Sequence, residues 1–213
     1  MSNAIARRVL LLVPPLAFAG LAVLHPAPEV ERQAVMDVAT WFAAFHIIQL
    51  VLTGLVVISV LLLADELGAL HAWSTRLGIG AFLIFFSAYD AVAGIATGLA
   101  LRRARDLPAV QQEAVWQTVK DWPGFDATVF TLGVVGTLGW VVALVGVALA
   151  ARRLGAPRTE WILIALAGVF LLGSHPFPFG TIAFGCLFVA AVVHEWTRGR
   201  AQVPEPAVGV GST

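Results

Sequence analysis

The chain has 213 residues, 59% hydrophobic and only 12% charged, with a mean hydropathy of +0.88. Ordinary globular proteins carry about 25% charged residues, so 13 basic and 13 acidic side chains cannot cover a soluble surface of this size. The balance of charge leaves no basic face for a polyanion, and a single cysteine, Cys186, permits neither an internal disulfide nor a thiolate metal cluster. Cytosolic enzymes, nucleic-acid modules and secreted disulfide scaffolds are thereby excluded.

Six apolar runs follow in chain order, at 9–24, 38–64, 77–101, 127–151, 161–174 and 177–193. Runs two to four exceed the ~20 residues that cross a ~30 Å hydrocarbon core. Backbone groups in hydrocarbon must be satisfied within each segment, so the runs predict helices. The alternation that a membrane β-barrel needs is missing. The expected fold is all-α, a polytopic transmembrane bundle of six spans. Residues 1–200 form its single domain, and 201–213 form a Pro- and Gly-rich tail read as disordered. The first run has an alternative reading as a cleaved signal peptide, with Ala17-Phe18-Ala19 as the cleavage triplet; apolar residues that continue to Leu24 weigh against it.

Lys and Arg favour an N-in, C-in orientation: Arg7, Arg8, Arg76, Arg152, Arg153 and Arg158 fall inside, with Arg102, Arg103 and Arg105 dissenting. The expected location is an inner (plasma) membrane, with the lipid bilayer as partner and no nucleic acid; a membrane-protein partner or a second copy stays open. Between spans three and four, Asp106 and Pro108 announce a helix start, and Val115, Val119 and Trp122 share one face. That pattern predicts a short interfacial helix.

Residues 16–28 (LAFAGLAVLHPAP) echo 166–178 (LAGVFLLGSHPFP), including His-Pro-X-Pro in both. Proline after histidine ends a helix, so the bland reading is a shared terminator. Runs one and five are short, however, at about 24 and 21 Å of helix. Their outer turns, carrying His25 and His175, are therefore expected below the membrane surface or in a locally thinned bilayer.

Asp90 lies midway along run three, about 16 Å from Leu101 by helix rise. A carboxylate there is costly and should face the bundle interior with a partner. Ser87, Asp90, Gly94 and Thr97 form one polar, small stripe; His46, Gln49 and Thr53 form another on run two. Spans two and three are joined by a short connection, so the stripes can meet. The sequence thus predicts an outward-facing pocket walled by His25, His46, Gln49, Ser87, Asp90 and His175, with Asp90 and His46 as the best catalytic candidates. His25, His46, Asp90 and His175 are the candidate metal ligands, suited by type to Zn, Fe or Cu. Haem would use His25 with His175. Neither cofactor has supporting motif spacing. A non-catalytic scaffold, in which the same groups hold helices together, and a small proton-linked transporter are the alternatives. Serine hydrolysis by Ser87, His46 and Asp90 ranks low, because Ser87 would compete for the carboxylate. His71 and His194 are expected to be solvated, and Gly133, Gly136 and Gly139 to permit close helix packing.

The order of Leu24-His25-Pro26, then Trp41 to His46, then Tyr89-Asp90 resembles a loose set of uncharacterised bacterial multi-span membrane proteins whose first span ends in His-Pro. The resemblance covers about the first hundred residues and implies membership without an activity.

Overall fold

A computed structural model describes residues 2–25, 32–122, 126–173 and 175–201; residues 1, 26–31, 123–125, 174 and 202–213, and with them the prolines of the first His-Pro motif and the expected tail, lie outside the described residues. The chain is all-helical, with no strand among the described residues. Its helices are α1 (Ser2–Val23), α2 (Arg32–Glu66), α3 (Trp73–Ala104), α4 (Ala109–Val119), α5 (Ala127–Arg153), α6 (Arg158–Phe170) and α7 (Phe179–Ala201). Five of them, α1, α2, α3, α5 and α7, are long and apolar enough to cross a membrane. The fifth apolar run of the sequence is helical too, but α6 has 13 residues, about 20 Å.

Helices α1, α2, α3, α5, α6 and α7 form a closed ring in which each packs on its chain neighbours and α7 returns to α1. Large side chains fill the centre. Phe18 stacks on Phe184 at 3.9 Å, Trp140 lies between Phe184 and Phe82, and Phe86 continues the column towards His175. Glycines set the spacing between α3 and α5: a Cβ on Gly136 would lie 2.6 Å from the Phe86 nitrogen, and one on Gly139 2.8 Å from the Gly78 carbonyl oxygen. Gly133 plays a related part, facing the Tyr89 ring.

The helices run several residues past the apolar segments because their polar ends are paired. Arg7 is bonded to Glu66 and to Glu195, and Arg198 to Glu66 at 2.6 Å. His194, expected to be solvated, instead bridges Glu160 and Glu66 at 2.9 Å each, and Glu160 is buried. This ion network joins one end of α1, α2, α6 and α7. His71 is exposed, as read from the sequence.

At the opposite end, α2 and α3 project far enough to carry α4. Met36, Ala39, Leu101, Ala104 and Val119 form a small core there, flanked by Val115, Trp116 and Trp122. The apolar face of α4 is thus covered by protein. Arg32 pairs with Glu113 at 2.8 Å, and Arg105 donates to the Asp37 carbonyl at 3.1 Å, which accounts for one of the arginines that dissent from the charge rule. The Gln117 amide and Arg32 together hold the Glu113 carboxyl below the usual carboxylate range.

Helix α1 contains Pro14 and Pro15, which cannot donate backbone hydrogen bonds. The carbonyl of Leu10, the acceptor that a residue at position 14 would serve, takes a hydrogen bond from the Ser59 hydroxyl of α2 at 2.6 Å. Ser59→Ala leaves that buried carbonyl without its donor and is expected to destabilise the bundle by about 1–3 kcal/mol. Thermal unfolding of the detergent-purified protein checks this; an unchanged midpoint would show that the bond contributes nothing.

Candidate functional site

Three local features bring the histidines to one level. His25 follows the last turn of α1, where its amide donates to the Ala22 carbonyl at 3.4 Å and the Trp41 indole holds the Leu24 carbonyl at 3.4 Å. His175 sits on the α6–α7 connection, which is tied to the same place: Phe177 donates its amide to Ala22 at 3.2 Å, and Thr181 its hydroxyl to Ala19 at 3.3 Å. Glycine is required at position 180, where a Cβ would lie 1.7 Å from the His175 carbonyl oxygen. His46 comes from within α2, facing α3 across Gly94; a Cβ on Gly94 would lie 2.1 Å from its ring.

One donor atom from each of His25, His46 and His175 lies within 4.8 Å of the other two. The rings meet edge to face, with centroids 5.0 Å apart for His25 and His175, 5.3 Å for His25 and His46, and 6.3 Å for His46 and His175. Such crowding leaves no slot for a porphyrin plane but suits a single small cation. The Nδ1 of His46 is 2.7 Å from the Phe42 carbonyl oxygen. A carbonyl only accepts, so Nδ1 carries the proton and the Nε2 lone pair is free. Metal-bound imidazoles are commonly oriented in this way by a bond from the second nitrogen. The Nε2 of His175 is buried without a hydrogen-bond partner.

Asp90 stands beside the cluster, 1% exposed. Its Oδ1 accepts from the Gln49 amide at 2.9 Å and lies 3.9 Å from His46 Nε2, whereas Oδ2 is buried with no hydrogen-bond partner. The local backbone is unusual. Two π-helical stretches, Phe82–Phe86 and Ala91–Ala96, bracket the single α-turn Ser87–Asp90. Each wide turn shifts the helix register, and such turns recur at functional sites. Thr97 donates to the Val92 carbonyl at 3.2 Å, occupying an acceptor inside the second wide turn.

The structure therefore gathers His25, His46, Gln49, Asp90 and His175. Ser87 is half-buried one turn before Asp90. Thr53 bonds back to the Gln49 carbonyl of its own helix, and Asp126 caps α5 through Thr128 and Val129. The walls were not legible in the sequence: Phe45 lies 4.9 Å from the His25 ring, and Phe86 and Tyr89 lie 5.8 and 6.2 Å from that of His175. Tyr89 adjoins Asp90 in the chain, and Gly180 follows the second His-Pro motif; these were the available signals. No protein-family model, curated protein or solved structure matches the chain.

Because the Gly94 Cβ would displace the His46 ring, Gly94→Ala is expected to weaken cation binding by about 10–100-fold, the usual cost of disturbing a ligand's support. Gly54→Ala, where nothing lies within 4 Å, serves as the neutral comparison on the same pair of helices. Equal zinc titration curves for the two variants would contradict the assignment.

Proposed function

We propose that the protein is a multi-pass integral membrane protein that holds one divalent first-row cation, zinc by donor type, on His25, His46 and His175. The observation that carries this reading is the approach of three imidazole donor atoms to within 4.8 Å, with His46 Nδ1 already committed to the Phe42 carbonyl. Six spans are proposed, in an inner (plasma) membrane with both termini inside. In that arrangement α6 ends within the outer leaflet, the turn carrying His175 continues from it, and α4 lies on the outer side. The proposed origin is bacterial, on the strength of the His-Pro resemblance.

The donor set fits a catalytic rather than a closed structural site. Three histidines leave the fourth position of a tetrahedral ion open. A cation so held polarises oxygen ligands and makes bound water acidic near neutrality. Asp90 supplies the matching group: Gln49 fixes Oδ1 and leaves Oδ2 to accept a proton or to join the ion. The aromatic wall of Phe45, Phe86 and Tyr89 limits water around the site.

A second reading draws on the Gln49–Asp90 bond itself, which pins α2 to α3 at 2.9 Å. Under it the polar groups only hold helices together.

Elemental analysis of detergent-purified protein, as isolated and after zinc addition and desalting, separates the two. About one zinc per chain is expected, lost in His25→Ala, His46→Ala and His175→Ala. A chain that retains no metal, while the histidine variants unfold at the native temperature, would overturn the proposal. The scaffold reading predicts that Asp90→Leu lowers the unfolding temperature and Asp90→Asn does not. The metal reading adds that Asp90→Asn keeps the ion but loses its base.

A further inference from the structure

We infer that the histidine centre is served from the side by a groove that takes the hydrocarbon chain of a membrane-dissolved amphiphile, with the polar head of that molecule meeting the metal. The inference rests on the metal and membrane readings above and names the substrate class for that site.

The groove has a volume of about 290 Å³ and lies between α3, α5 and the end of α6, with His175 and Tyr89 in its lining. Helix α6 ends at Phe170, and Leu171, Leu172 and Gly173 just beyond it line one side of the groove. Phe130, Val134 and Leu138, successive turns of one α5 face, line the other at 54%, 38% and 50% exposed, the start of an apolar stripe that continues through Val142, Val145 and Leu149; Leu172 is 53% exposed. Gly133 lines the floor, where a Cβ would lie 3.0 Å from the Tyr89 ring.

Two features decide the occupant. First, the lining contains no charged side chain, and its polar side chains are those of Tyr89, Thr137 and His175. A water-borne ionic substrate would find nothing to replace its hydration, whereas a methylene chain matches the wall. Second, the groove runs from about 6 to 18 Å below the Asp126 cap by helix rise. That depth runs from the outer half of a ~30 Å hydrocarbon core to just past its middle. At that depth the groove faces acyl chains rather than water, and His175, whose Nε2 is buried without a hydrogen-bond partner, lines it. A molecule that dissolves in the bilayer as a chain and carries an oxygen head group matches both the apolar wall and the imidazole.

Hydroxamates test this, because the head chelates zinc and the chain length can be varied. Binding of acetohydroxamate and dodecanohydroxamate to the zinc-loaded protein is measured in one detergent at fixed micelle concentration. The long-chain compound is expected to bind about ten-fold tighter or more, since its chain gains packing contacts along the groove that the two-carbon compound lacks. Gly133→Leu and Leu172→Trp fill the groove and should remove most of that advantage while retaining zinc and acetohydroxamate binding. Val51→Trp, on an exposed face of α2, should keep it. The Leu172 variant stands alone if Gly133→Leu fails to fold. An undiminished chain advantage in the filled variants overturns the groove while the metal centre stands. Failure of both hydroxamates on a zinc-loaded chain overturns the open coordination position, and with it this inference.

Discussion

The early end of α6 governs the histidine-bearing half of the bundle. A helix of about 20 Å cannot keep pace with α5 and α7, so the chain must turn while still flanked by longer helices. Backbone that leaves a helix inside an apolar environment needs partners for its polar groups. Here α1 supplies them: the carbonyls of Ala22 and Ala19 receive the Phe177 amide and the Thr181 hydroxyl. Helix α1 is itself about to stop, so the same few residues position His25. Two helix ends that satisfy each other thereby deliver two imidazoles to one place. The termination is supported from within the core as well, because the Trp140 indole donates to the Ala167 carbonyl in the last turn of α6 at 2.9 Å.

The other end of the bundle is held in a different way. Arg7, Glu66, Glu160, His194, Glu195 and Arg198 link α1, α2, α6 and α7 in one connected set of ion pairs. Such pairs carry a desolvation penalty, and here it is shared: Glu66 meets Arg7, His194 and Arg198, while Arg7 and His194 each join two carboxylates. The network anchors α1, α2, α6 and α7 at the end of the bundle remote from His25, His46 and His175. A sequence that lacks charge over most of its length thus concentrates it where it sets helix register.

Much of this was legible in the residues, and the limits of legibility have physical causes. Apolar runs located every long helix, since burying backbone in hydrocarbon leaves little choice of structure. The His-Pro echo anticipated that His25 and His175 share a level, and helical spacing placed His46, Gln49 and Asp90 on facing stripes. Helices α1, α2 and α7 run several residues past the apolar runs, because charged turns stay helical when distant side chains neutralise them, as Glu66 does for Arg7. For the same reason His194 could not be distinguished from a solvated residue: its partners lie 34 and 128 positions away. The two π-helical stretches left no trace in the sequence, as they depend on packing against α2 and α5. Phe45 and Tyr89 looked like ordinary apolar-face residues until a third helix end was folded against them.

The choice of Gln49 as the partner of Asp90 bears on what the centre is for. An arginine or lysine at that position would neutralise the carboxylate and close an ion pair, which is the simplest way to keep an acid inside a bundle. An amide does something else: it fixes one oxygen and leaves the other without a hydrogen-bond partner. A carboxyl group buried in this way keeps its proton unless something positive shares its environment. Three imidazoles that remain neutral donors cannot supply that charge. On the proposed reading a cation bound to them would, so that Asp90 and the converging histidines become two halves of one electrostatic arrangement, the carboxyl releasing its proton as the ion is bound.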